Sequence, residues 1–263
     1  MEIKVFTAFA GYDSQCLALD RMKEAFPWFS YELVGWSEID KYAIQAHNAL
    51  YPQWAERNYG DISKVDWKQV PDFDLFTYSF PCTDISTAGK QEGLSEGSGT
   101  RSSLLWECRK AIEIKRPRWL LMENVKALVS EKFLPFFLEW EKYLRGLGYA
   151  NYSKVLNAKD FGVPQNRERI FMVSVMGDEV YHFPAEMELK CRLKDVLEKD
   201  VDEKYYLSEK TIANFSAHVE RKQKEGCGFK FTPHEKPYDK TAFSITTNAG
   251  GRETDNFIKE DGM

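Results

Sequence analysis

The sequence predicts a three-layer α/β domain built on a mostly parallel sheet. Three observations carry this. Short apolar runs alternate with helix-spaced amphipathic stretches through about two-thirds of the 263 residues. The hydrophobic share, 43%, suits a sizeable core, and no apolar run approaches the length of a membrane span. The N-terminal segment reads strand, turn, helix, strand and closes its second strand on an acid, the pattern of a nucleotide-binding βαβ unit of Rossmann-like type.

Glu2 to Ala8 (EIKVFTA) is the first expected strand, Phe9 to Ser14 a turn, and Gln15 to Ala25 a helix. Tyr31 to Glu38 reads as the second strand. Asp40 is placed to cap a helix running through Tyr42, Ile44, Ala46 and Leu50 to Pro52. In this unit Gly11 lets the backbone approach a ligand closely, and Glu38, 27 residues further on, has the reach to meet ribose hydroxyls. Only one of the usual glycines is present, so a ligand with a ribose but no phosphates fits better than a dinucleotide. The plain alternative is a βαβ unit with an exposed Glu. In the next turn, Asn58 to Ile62, Asp61 after Gly60 is suited to accept from an adenine amino group, or is simply a turn residue.

Asp74 to Tyr78 reads as a buried strand opening onto Ser79-Phe80-Pro81-Cys82 and a long Gly/Ser-rich segment, Thr83 to Thr100. Gly89, Gly93, Gly97 and Gly99 exclude a stable helix there, and a loop of this length is usually functional or disordered. A cysteine between a core strand and such a loop is placed to do chemistry; a buried small hydrophobe is the competing reading. Arg101 to Ile114 is the next helix, with Cys108 on its core face beside Leu104, Leu105 and Ile112. Arg118 to Val125 is an apolar strand ending in Glu123-Asn124, and a carboxylate there must be held by neighbours or used.

Phe133 to Leu147 predicts a helix and Asn151 to Leu156 a strand. Gln165-Asn166-Arg167-Glu168-Arg169 leads into a further strand ending near Val173, which puts Arg167 and Arg169 on one face. Such a face grips a carboxylate, a base edge or a phosphate; two solvated arginines are the alternative. Beyond Gly177 the periodicity weakens. Lys190 to Lys199 and Ser208 to Lys224 have helical character and heavy charge, and Phe243 to Arg252 holds a strand-like piece and a turn. Residues 1–176 are therefore expected to form one domain and 177–263 a second region.

The net charge of −5, from 36 Lys and Arg against 41 Asp and Glu, argues against a nucleic-acid partner on total charge, but leaves room for a local basic face. The five cysteines are scattered and odd in number, which disfavours a disulfide framework or zinc site and points to a reducing cytoplasm. The N-terminus lacks a signal-peptide pattern.

Taken in order, these residues resemble the cytosine-5 DNA methyltransferases of bacterial and phage type. Phe9-Ala10-Gly11 is similar to that family's first S-adenosylmethionine motif, Glu38 to its ribose-binding acid and Asp61 to its adenine-contacting acid. Pro81-Cys82 is similar to the catalytic cysteine motif, Glu123-Asn124-Val125 to the second catalytic motif, and Gln165 to Arg169 to the Gln-x-Arg-x-Arg motif. The resemblance implies a methyltransferase fold with seven strands and S-adenosyl-L-methionine as cofactor, lined by Phe9, Ala10, Gly11, Tyr12, Glu38, Ile39, Asp61, Ile62 and Pro81. It implies double-stranded DNA as partner, touched by Ser86, Asn124 and Gln165, with Asn124 also fixing the backbone between strand and loop. Cys82 would add to C6 of a flipped-out cytosine, Glu123 would protonate N3, Arg167 would bind the O2 edge, and Arg169 would orient Glu123 or support the cysteine loop.

Two departures stand out. Asp13 and Ser14 occupy positions where the first motif has further glycines, and no match to the family's ninth or tenth motif is found. The second departure leaves open a truncated product, an expressed fragment, or one half of a split enzyme that needs a second polypeptide. It also makes 177–263 a partial target-recognition region. An RNA cytosine-5 methyltransferase is the alternative within the same fold, disfavoured by the lack of a Cys-Phe-Thr tripeptide. A non-catalytic binding subunit is the alternative of another class.

Overall fold

Burial along β1 (Glu2–Ala8) decides the layering: Ile3 and Val5 join one buried cluster, while Phe6 and Ala8 join another. Successive strand residues face opposite sides of a sheet, so a strand buried on both sides needs a cover on each. The computed structural model, which describes residues 1–81, 104–226, 230–245 and 255–259, supplies both covers. On one side α1 (Ser14–Ala25) brings Cys16 and Leu19 against Val5 and against Leu33 and Trp36 of β2 (Ser30–Ser37). On the other, α3 (Leu105–Lys115) and α4 (Leu134–Gly146) pack Cys108, Ile112, Phe137 and Trp140 over Phe6 and Ala8. They also cover Phe76 of β3 (Leu75–Tyr78) and Leu120 of β4 (Trp119–Val125). Cys108 is thus a core residue, and burial pushes its thiol well above the ordinary range.

The sheet has six strands in the order β2-β1-β3-β4-β7-β5, with β5 spanning Tyr149–Asn157 and β7 spanning Glu168–Met176. The β1–β2, β1–β3 and β3–β4 pairs are parallel; β4 and β7 are antiparallel. The expected seventh strand is absent among the described residues. An isolated parallel bridge between Trp36 and Asn58 marks the edge beyond β2. In chain order α2 (Lys41–Leu50) lies between β2 and Asn58, capped as the sequence predicts: the Asp40 carboxylate accepts from the amides of Tyr42 and Ala43, both at 2.9 Å.

The chain divides into two compact units, residues 1–155 with 169–183 and residues 156–168 with 184–263, so it passes between them three times. The second unit holds the parallel pair β6 (Gln165–Asn166) and β8 (Ala242–Phe243) and the helix α5 (Glu209–Lys224). It also holds a cluster of the Phe215, Phe231 and Phe257 rings. The helix expected over 190–199 does not form. Only Leu193–Asp195 makes a 3-10 turn, and Leu193 and Lys194 donate their amides to the carbonyls of Lys240 and Tyr238. Backbone groups satisfied across the chain in this way leave nothing for a helix to add. Among the described residues no helix is long and apolar enough to cross a membrane.

The β1–β2 pairing slips between Val5 and Phe6: Val5 lies beside Leu33 but Phe6 beside Gly35, which leaves Val34 as the extra residue of a bulge. Gly35 is needed there because a Cβ would stand 2.7 Å from the buried Phe6 ring and 2.8 Å from the Tyr59 ring. Gly35→Ala should therefore destabilise the fold by about 1–3 kcal/mol in urea unfolding, the range for overpacking a tight site. A variant as stable as the parent would contradict this reading of the bulge.

Candidate active site

The register of the parallel strands brings four strand ends to one edge. Ala8 lies beside Ser37 and Tyr78, and Tyr78 beside Met122. The antiparallel β7 starts at the same edge, with Arg169 opposite Val125. In open α/β sheets the carboxyl edge of the parallel strands is where ligands bind. Two groups of side chains collect there, both within the first unit.

The first group is built on Glu38, which follows β2. One carboxylate oxygen accepts the Gly11 amide at 2.9 Å; the other accepts the amides of Ile39 and Asp40, each at 2.8 Å. Asn58 clasps the same residue from the far side. Its side chain accepts from the Glu38 amide at 3.2 Å and the Gly60 amide at 2.9 Å, and donates to the Glu38 carbonyl at 3.1 Å. The turn after β1 is held in an unusual shape, with φ of 56° at Phe9, 60° at Gly11 and 67° at Asp13. For the two L residues this left-handed region costs about 1–2 kcal/mol each, strain of the kind that persists where surroundings over-determine it.

Beside this clasp, Tyr12 is 51% exposed and Ile39 is 72% exposed. Among the described residues, apart from its chain neighbours, no atom lies within 4 Å of where a Gly11 side chain would begin. Asp61 accepts the hydroxyl of Ser63 at 2.7 Å and its amide at 3.0 Å, capping the 3-10 turn Ile62–Lys64. Those hydrogen bonds, the hydroxyl first, hold its carboxyl below the usual carboxylate range. Ile62 is buried beneath it. An open glycine, a carboxylate and exposed apolar faces, with a single glycine at the turn, suit a nucleoside-like ligand without phosphates.

The second group joins β3 to β4. Asn124, buried at the end of β4, donates to the Phe80 carbonyl at 3.0 Å and accepts the Val125 amide at 2.8 Å. Phe80 stands two residues ahead of Cys82 in the chain. Gln15 of α1 donates to the Ser79 hydroxyl at 3.3 Å, which ties the same segment to the first group. Glu123 meets Arg169, with the guanidinium Nε 3.1 Å from a carboxylate oxygen. The antiparallel β7 makes this pairing possible, because only a reversed neighbour begins where β4 ends.

Cys82 and Ser86 lie outside the described residues. Arg167 and Gln165 belong to the second unit: the Arg167 amide donates to the Asn157 side chain at 3.0 Å, and the Gln165 amide donates to the Val163 carbonyl at 2.7 Å. The expected arginine pair is thus divided between the units, with Arg169 on Glu123.

Reading the sequence alone misses Asn58. Asn58 binds the Gly60 amide two residues on, the habit of an Asn in a turn, so the turn was legible. Its bonds to Glu38 span 20 residues and left no local trace.

A family model for C-5 cytosine-specific DNA methylases matches residues 3–261. The chain belongs to that family. Among its relatives, the Type II methyltransferase M2.ScrFI of Lactococcus lactis subsp. cremoris is 40% identical over 81% of this chain and 72% of its own length. M1.ScrFI of the same organism is 34% identical over 87% of this chain, and M.SsoII of Shigella sonnei 36% over 78%. This methylase chain spans little more than half the length of those two, 57% and 54%. The fold is shared with the Dnmt2 methyltransferase of S. pombe, with a TM-score of 0.69 at 19% identity, 94% of this chain and 71% of that one being covered. It is shared equally with EhMeth of Entamoeba histolytica, with a TM-score of 0.69 at 17% identity, covering 91% and 70%.

In this methylase the clasp on Glu38 should also support the fold. Glu38→Ala should lower unfolding free energy by about 1–3 kcal/mol, as expected for backbone donors that lose a charged acceptor, and Glu38→Gln by less. An unchanged denaturation midpoint in Glu38→Ala would remove the carboxylate from the network.

Proposed function

We propose that this chain transfers a methyl group from S-adenosyl-L-methionine to C5 of cytosine in double-stranded DNA. The observation that carries the reading is the Asn124 bond to Phe80. It fastens the segment leading to Cys82 onto the strand end that bears Glu123, the two residues the chemistry must bring together.

Bound S-adenosyl-L-methionine supplies an electrophilic methyl group on a sulfonium centre. The residues at hand suit it: Glu38 for the ribose hydroxyls, Asp61 for the adenine amino group, and Gly11 for close backbone approach. Phe9, Ala10, Tyr12, Ile39, Ile62 and Pro81 form the walls. Asp61 is held ionised by Ser63, which keeps it an acceptor.

Cytosine C5 is a weak nucleophile, and the proposed solution is covalent. The Cys82 thiolate adds to C6, and the electrons of the C5–C6 double bond move to C5. Glu123 delivers a proton to N3 and so neutralises the charge that reaches the ring. Arg169, bonded to Glu123, orients that carboxyl group. Arg167 binds the O2 edge, and Gln165 and Ser86 bind the substrate strand. C5 then takes the methyl group, and the electron pair of the broken S–CH3 bond stays on sulfur. A water molecule takes the C5 proton, the C5–H electrons restore the C5–C6 double bond and expel Cys82 as thiolate, and N3 returns its proton to Glu123. The target base must leave the duplex to reach these groups, so base flipping is part of the proposal. Residues 177–263 take the role of a partial target-recognition region, and the cytoplasm is the proposed compartment. The RNA alternative is not favoured, because the family whose model matches is one of DNA methylases by name.

Labelled S-adenosyl-L-methionine and mixed-sequence duplex DNA should yield 5-methylcytosine with the parent chain and none with Cys82→Ser. Appreciable turnover by Cys82→Ser would sink the covalent mechanism.

A further inference from the structure

The Asp13 carboxylate is fully buried, yet it sits in a turn at the protein's working edge and the proposed reaction makes no use of it. It stands where the family motif carries a glycine, and it keeps the left-handed backbone a glycine would adopt, with φ of 67°. Three elements converge on it. From β1, the Thr7 hydroxyl donates to Oδ2 at 2.7 Å. From the first turn of α1, the Cys16 amide donates to Oδ1 at 3.2 Å, which makes Asp13 the helix cap. From α2, the Nε2 atom of His47 stands 3.6 Å from Oδ2. His47 is itself fully buried, stacked on Trp36 with ring centroids 3.7 Å apart, and its Nε2 has no hydrogen-bond partner among the described residues.

The elements joined in this way carry the donor site. The turn 9–12 lies between β1 and Asp13, and the Asp13 amide closes it onto the Ala10 carbonyl at 2.8 Å. Helix α2 begins directly after Glu38 and Ile39, with Asp40 as its cap. The Gly11 contact to Glu38 is therefore bracketed on both sides by groups that meet at Asp13. Glycines in such a turn allow the shape; a buried carboxylate with fixed partners enforces it.

We propose that Asp13 is a positioning residue for the methyl donor, holding the 9–12 turn in its ligand-ready shape and coupling it to α2 through His47. This rests on the donor-binding reading above. The coupling itself is read without donor, by hydrogen–deuterium exchange. Asp13→Gly, which removes the carboxylate but keeps the backbone at ease, should raise exchange in both the 9–17 and 41–50 segments. With donor, Asp13→Gly should bind S-adenosyl-L-methionine roughly tenfold or more weakly in calorimetry, as expected for losing contacts to a charged group. Asp13→Asn tolerates the same φ and still accepts from the Cys16 amide, so it should recover part of that loss. Unchanged exchange at 41–50 in Asp13→Gly would overturn the coupling. A lower melting temperature with parental donor affinity would overturn the positioning role and leave a purely structural one. A parent chain that binds no donor would strike the donor-binding reading instead, while the exchange data still decide whether Asp13 couples turn and helix.

Discussion

One carboxylate, that of Glu38, sets the geometry on which the proposed donor site depends. A parallel sheet delivers its strand ends to a common edge, but it does not fix the turns that follow them. Glu38 does so by taking three backbone amides from two different turns. The bulge at Val34 and the glycine at 35 belong to the same arrangement, because they set the end of β2 against β1 and the Phe6 ring.

The second group obeys a different constraint. A half-buried carboxylate at a strand end needs a partner, and Arg169 can provide one only because β7 runs against β4. Asn124 solves the neighbouring problem by satisfying the Phe80 carbonyl beyond the end of β3, where the ladder can no longer do so. The two groups are therefore built by separate means on one edge, with Gln15 bonded across to Ser79 between them.

The strands were legible because their apolar runs are short, bounded and spaced by helices, and Asp40 announced its helix by residue type alone. The motif order from Phe9 to Arg169 was legible as a resemblance. What stayed hidden depends on contacts distant in sequence or on backbone choice. The glycine position that Asp13 occupies hints at its left-handed backbone, but nothing local announces the buried partners that meet its carboxylate. Nothing local divides Arg167 from Arg169, since strand parity puts them on one face while the chain changes unit between them. The segment 190–199 misled because charge at helical spacing can describe a helix or an extended segment, and only its bonds to Lys240 and Tyr238 decide between them.

If the edge around Glu38 binds the methyl donor, its carboxylate must govern donor affinity. Titration calorimetry of S-adenosyl-L-methionine into the parent chain and into Glu38→Ala should show clear binding by the parent and a loss of roughly tenfold or more in the variant, with the melting temperature used to confirm that both are folded. Equal affinity in the two proteins, or no binding by a folded parent, would contradict it.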